Sequence, residues 1–264
     1  MNRTPSSLYC TLPDGAPALL KMSIERGLKA CQGDSAEIFF RADDIGVISD
    51  TFIKLVKLFA HRRVPLNLAV VPTWISESRW SAIGNVCEVS SPLWCWHQHG
   101  WRHKNHQKEG KKCEFGSHRK DQEIEADILR GMQRLQSLLG QHFSPFFTPP
   151  WNRCSEKTLA ILKNAGFKAV SRDSGAKTLH IPLPDFQVNA DLHTRKENPP
   201  GESLKKLGIE LENGIMSGRL GIMIHHQRMN NSAFLLLDRL LQMVTGNDLL
   251  IPVNFKDLTA ADTP

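Results

Sequence analysis

Along most of the chain, short apolar runs alternate with longer stretches whose apolar residues return every three or four positions. Runs of the first kind read as buried strands and stretches of the second as amphipathic helices. Ala36-Glu37-Ile38-Phe39-Phe40-Arg41 reads as a strand that ends in Asp43-Asp44-Ile45-Gly46. Ser49 or Asp50 caps the helix after it, which carries Phe52, Ile53, Val56, Leu58 and Phe59 at helical spacing. Pro65 to Val71 is the next strand, Ser76 to Ile83 a short helix, and Leu93-Trp94-Cys95-Trp96 a third strand.

Ile124, Ile128, Leu129, Met132, Leu135, Leu138 and Leu139 line one side of a long helix from Asp121 to Leu139, and Gly140 stops it. Strand Pro145–Thr148, a helix capped by Ser155 and running through Lys163, and strand Phe167–Ser171 follow. An irregular Pro-rich stretch runs from Pro182 to Pro200. Then come helix Glu202–Ser217, strand Arg219–His226, helix Ser232–Val244 and strand Asp248–Val253. Residues 1–33 lack a clean period and read as an N-terminal arm with a short helix near Ala18–Met22. Strand and helix alternate from residue 34 to 264, which argues one α/β domain with a parallel sheet, as a barrel or an open sheet.

A chain of 264 residues can bury a full core, and 41% apolar with 23% charged residues is ordinary for a globular protein. No apolar run approaches the roughly 20 residues of a membrane helix. The segment Met1–Ser7 carries no apolar core of a secretory signal, so a cytoplasmic location is expected. Six scattered cysteines without a C-x-x-C pair argue against structural zinc and a disulfide framework. The net charge of +6 is uneven: the stretch Arg102–Lys120 alone carries +5, which suits an anionic, phosphate-bearing substrate as well as a solvated loop. Nucleic acid is not expected, because no stacking aromatics interleave with these charges. Oligomeric state is not legible.

The chemistry-bearing residues cluster at predicted strand ends. Four of the 11 histidines fall within Trp96–His106, and His99 and His103 stand four apart, so that both can reach one ion. Asp43-Asp44, the turn Pro149-Pro150-Trp151-Asn152, and His225-His226 occupy equivalent places. In a barrel these ends share one rim.

The ordered set Arg41-Ala42-Asp43-Asp44, His99-Gly100-Trp101-Arg102-His103, Thr148-Pro149-Pro150-Trp151 and Ile222-Met223-Ile224-His225 resembles the polysaccharide deacetylase superfamily, carbohydrate esterase family four. The resemblance runs from about residue 36 to 253. It implies a distorted (β/α) barrel with about seven parallel strands, and metal-dependent hydrolysis of an N-acetyl or related small acyl group on a carbohydrate. Carried onto this chain, it makes Asp44, His99 and His103 the ligands of a divalent metal. Zinc is the first choice, and cobalt, manganese, iron and nickel suit the same donors. Asp43 becomes the general base and His225 the general acid. The Trp151 N–H can help hold the oxyanion. Arg41, Pro150, Trp151, Asn152 and His226 are expected at the substrate, which is a small carbohydrate or sugar phosphate. His97 and His106 lie close in sequence to this set.

Two departures stand out. Thr148 occupies the place of the family's arginine, which pairs with the catalytic aspartate; Arg41 or Arg153 is the candidate replacement. The aspartate that tunes the acid histidine is not clear, with Asp173 and Asp191 as candidates. A deacylase or deformylase of a non-sugar amide and a non-catalytic glycan-binding module are the competing readings.

Overall fold

A computed structural model describes residues 4–176 and 183–261. Pro182, the expected start of the irregular stretch, lies outside the described residues. In chain order the elements are α1 (Ser7–Cys10), α2 (Ala16–Ala30), β1 (Ala36–Ile45), α3 (Asp50–Arg62), β2 (Leu66–Val70), α4 (Glu77–Gly84), β3 (Trp94–His99), α5 (Asp121–Leu139), β4 (Phe143–Thr148), α6 (Glu156–Asn164), β5 (Ala169–Val170), β6 (Ala190–Asp191), α7 (Pro200–Met216), β7 (Arg219–Ile224), α8 (Asn231–Thr245), β8 (Leu250–Pro252) and α9 (Phe255–Ala261). They fall into two compact units, and β1 contributes its first residues to one and its last three to the other.

The first unit holds residues 1–42, 49–66 and 188–254. Here β7 and β8 both pair parallel with β1, and β6 pairs parallel with β7. β1 and β7 are buried along nearly their whole length, as strands of a parallel sheet covered on both faces are. Ser49 caps α3 by accepting the Phe52 N–H at 3.2 Å, as the sequence suggests. Arg62 of α3 and Asp238 of α8 form a two-pronged ion pair at 2.7 and 2.9 Å. The segment expected as an arm with a short helix contains a 15-residue helix, α2, packed on α7. Two glycines permit that packing. A Cβ on Gly27 would meet the Glu212 carbonyl at 2.8 Å, and one on Gly208 would meet Ser23 Oγ at 2.7 Å.

The second unit holds residues 43–48, 67–187 and 255–264. From the end of β1 the strands continue in the order β2, β3, β4, β5. The Val71 N–H donates to the Ile45 carbonyl at 2.8 Å, which fixes the end of β1. β3, β4 and β5 run parallel, with His99 opposite Thr148. α5 buries Ile124, Ile128, Leu135 and Leu139, the predicted stripe, while Met132 is half-buried. Phe115, Phe147, Leu159 and Phe167 complete that core. The expected strand Phe167–Ser171 shrinks to two residues. The C-terminal α9, not foreseen, has its Phe255 N–H bound to Asn67 Oδ1 at 2.8 Å. No helix among the described residues is long and apolar enough to cross a membrane.

Candidate active site

Left-handed backbone concentrates where the motifs meet. β1 runs to Ile45, four residues beyond the Arg41 end of the expected strand, so Asp43 and Asp44 belong to the strand rather than to a turn after it. Of the five described non-glycine residues with positive φ, four are Asp44 (65°), His103 (54°), Trp151 (57°) and Asn152 (60°). Such conformations each cost on the order of 1–3 kcal/mol and persist only where surrounding contacts over-determine them. Gly100, at φ 60°, follows β3, and a Cβ there would strike Pro150 Cγ at 2.5 Å and the Glu114 carboxylate. Only glycine fits between the His-x-x-x-His loop and the Pro-Pro turn.

Three donors converge in this unit. Asp44 Oδ1 lies 3.1 Å from His103 Nε2 and 3.4 Å from His99 Nε2, and the group's ligand atoms all lie within 4.8 Å of one another. The register of β3 on β4 sets the state of His99: its Nδ1 donates to the Thr148 carbonyl at 3.0 Å, which leaves Nε2 as an acceptor facing the carboxylate. The His103 ring sits between Trp74, at 5.6 Å, and Trp151, at 4.4 Å between centroids. Burial, and then the neighbouring His99, push its proton affinity down to about 4 against the pull of Asp44. His103 is therefore neutral at ordinary pH, as a metal ligand must be. An acceptor nitrogen, a second neutral imidazole and a carboxylate oxygen directed at one point repel without a cation between them. Two nitrogens and one oxygen also match the donor set of catalytic divalent-metal sites with open positions. The residues fit such an ion.

Behind the donors lies a buried polar shell. Glu114 is fully buried, and its carboxylate accepts the N–H of Arg102 at 2.8 Å and of Trp101 at 3.4 Å. Burial raises its proton affinity, opposed by the N–H groups of Arg102, Trp101 and Lys104. It thus holds the loop between the two histidines. Gln98, also fully buried, donates to the Gly100 carbonyl at 3.0 Å and the Ile128 carbonyl at 3.2 Å. Arg134 of α5 clamps the segment that carries Trp74 by donating to the Pro72 and Ile75 carbonyls at 2.7 and 2.8 Å. Gly46 admits Trp74, because a Cβ there would meet Trp74 Cβ at 2.6 Å.

The other expected site residues are distributed as follows. Asp43 is buried in the same unit as Asp44. Thr148, standing where the family has arginine, spends its hydroxyl on His97, whose Nε2 lies 2.8 Å away. His97 is fully buried. Pro150 and Asn152 are buried and Trp151 is half-buried. Arg153 donates to the Lys112 carbonyl at 3.2 Å. His106 is half-buried.

In the first unit, Arg41 is fully buried and reaches Met223 Sδ at 3.2 Å. His225 is half-buried, and its N–H donates to His193 Nδ1 at 3.3 Å. His226 is buried with its ring edge-on to Phe52 at 5.7 Å. Asp191 caps a turn by accepting the His193 and Thr194 N–H groups, both at 2.9 Å. Trp74, Glu114, Gln98 and His193 were missed by sequence reasoning. Glu114 sits in a stretch that reads as a solvated basic loop, and nothing local marks it as buried.

Two imidazoles and a carboxylate gather at and just beyond the carboxyl ends of β1 and β3, where α/β proteins with parallel strands place their functional groups. The family model for polysaccharide deacetylase matches residues 35–170, half of the chain, and spans all three donors. The chain belongs to the polysaccharide deacetylase family and is, by that membership, a carbohydrate deacetylase.

His225 lies beyond the matched span. No curated protein matches the chain. Among solved structures, a family 4 carbohydrate esterase from Streptomyces lividans in complex with acetate is 12% identical, with TM-score 0.52, over 85% of this chain and 93% of its own. A family 4 acetyl xylan esterase from Clostridium thermocellum in complex with a cobalt ion is 13% identical, with TM-score 0.56, over 85% and 91%. The PuuE allantoinase is 11% identical, with TM-score 0.61, over 88% and 93%. At these identities the likeness is one of fold, the distorted α/β barrel expected from the sequence.

Proposed function

We propose that the protein is a divalent-metal-dependent N-deacetylase of a cytoplasmic amino sugar or sugar-phosphate-linked precursor, with Asp44, His99 and His103 as ligands. The observation that carries this reading is the convergence of both Nε2 atoms on Asp44 Oδ1 at 3.1 and 3.4 Å. Asp44, His99 and His103 would hold a divalent ion, which would supply Lewis acidity toward the amide carbonyl and a lowered pKa for water. Zinc is the first choice; the cobalt in the C. thermocellum esterase makes that metal the next to test.

Asp43, beside the ligand Asp44, accepts the proton of the attacking water. His225, held at the end of β7 by His193, protonates the departing amine. Trp151 walls the site on His103 and offers its N–H to the oxyanion. Arg41, Pro150, Asn152 and His226 retain their proposed contacts with substrate. A cytoplasmic setting is supported by six cysteines that are all free.

The likeness to an allantoinase keeps hydrolysis of a non-sugar amide as a second reading. The test is acetate release from N-acetylated amino sugars, their phosphates and short oligosaccharides, with allantoin hydrolysis in parallel. Protein is chelated and then reloaded with zinc, cobalt or manganese. Metal-restored acetate release supports the deacetylase. Hydrolysis of allantoin alone supports the second reading, and no turnover by any loaded form refutes both in favour of a binding module.

A further inference from the structure

A cavity of about 660 Å³ lies beside the Pro149-Pro150-Trp151-Asn152 turn, in the same unit as the three metal donors. Asn152 of that turn forms part of its wall. The preceding residue, Trp151, stacks 4.4 Å from the His103 ring. One short turn of constrained backbone thus borders both the donor cradle and the cavity.

Three cationic side chains line the cavity, and the fold consumes one of them. Arg153 directly follows Asn152, and Lys111 comes from the basic stretch after the histidines. Among the described residues neither forms an ion pair with a carboxylate. Arg172 also lines the cavity but is bound to Asp185, through Nε at 3.0 Å and Nη2 at 2.9 Å, and so is a fixed, neutralised wall. Two carboxylates are present as well. Glu156 is exposed in the first turn of α6, where a negative charge complements the helix N-terminus, and Asp173 is half-buried.

We propose that this cavity is a phosphate subsite: it binds the phosphate of a phosphorylated amino-sugar substrate, with Arg153 and Lys111 as its cationic contacts. The proposal rests on the deacetylase reading for its sugar, but not for its anion. Two cations from separate segments, neither bound to a carboxylate, suit a compact dianion better than the hydroxyls of a neutral glycan.

Two measurements test it. The first titrates inorganic phosphate into metal-chelated protein by calorimetry, which needs no activity. Wild type is expected to bind, and Arg153→Ala or Lys111→Ala to bind about tenfold more weakly, with Arg153→Lys in between. The second compares kcat/KM for N-acetylglucosamine 1-phosphate and 6-phosphate with that for N-acetylglucosamine. The preference for a phosphorylated sugar is expected to fall about tenfold in Arg153→Ala, through KM. Thermal melts show that the variants remain folded. No phosphate binding by wild type, or equal binding by the variants, overturns the subsite. Phosphate binding that depends on Arg153, without deacetylation of any sugar, upholds the subsite while the deacetylase reading fails. Deacetylation without phosphate preference overturns the subsite alone.

Discussion

Glu114→Gln is the most informative single change in the buried shell, because it keeps the size of a fully buried side chain and removes only charge and one acceptor. The carboxylate serves backbone donors of the loop, among them the N–H of Arg102 at 2.8 Å and of Trp101 at 3.4 Å, with the Lys104 N–H beside them. A carboxamide has one oxygen, so whichever way it is turned one N–H faces its NH₂ group. Losing a hydrogen bond to a charged acceptor costs about 1.5–3 kcal/mol, and the bond that remains weakens as its acceptor becomes neutral. Relief from burying a charge offsets part of this, since burial raises the proton affinity of Glu114. The net loss expected is about 1–3 kcal/mol. It should appear in chelated protein as a lower urea midpoint at unchanged m-value.

The same change loosens the loop that carries His103 away from His99, so metal affinity should weaken by roughly 10-fold or more, as for other outer partners of metal ligands. Glu125→Gln, exposed on α5, is the control and should be near neutral. Equal stability of Glu114→Gln and wild type within about 0.5 kcal/mol, with unchanged metal affinity, would show that this carboxylate does not hold the loop.

Asp44→Asn should abolish metal binding, measured by metal content after dialysis, while the fold persists, because asparagine tolerates the left-handed φ of 65°. Gly131→Ala, which in an open helix would gain about 1 kcal/mol, should instead cost about 1–3 kcal/mol in chemical denaturation; the new Cβ meets Gln98 Cδ at 2.9 Å. His193 is fully buried and held neutral well below its usual range, first by desolvation and then by His225 and His226. In the unfolded chain it takes a proton near pH 6.5. The unfolded state therefore binds more protons as pH falls, and stability should drop by about 2 kcal/mol between pH 7.5 and 5 from this group alone. His193→Gln should flatten that dependence in denaturation at each pH, and an unchanged slope would exclude His193 as its source. The Cys95 thiol, buried and pushed up to about 12, should resist alkylation in the native protein, while exposed Cys10 reacts; peptide mapping separates them.

Residues near one another along the chain determined what can be read without coordinates. The strand–helix alternation, the α5 stripe and the caps Ser49 and Ser155 follow from period and side-chain chemistry within a few positions. The motif residues Asp44, His99, His103 and Trp151 announced themselves by type and order, and the fold gathers them. Tertiary structure alone decided the rest. Whether residues 16–30 form a helix or an arm depends on α7 arriving to cover them, and that requires glycine at 27 and 208, nearly two hundred residues apart. Thr148 reads as a missing arginine until His97, on the neighbouring strand, claims its hydroxyl. Glu114 looks like one more charge in a basic loop, and only the folded chain closes the Trp101 and Arg102 amides around it. Local pattern reports which face of an element seeks burial; which distant group meets it, and so which polar atom must be satisfied there, is set by long-range packing.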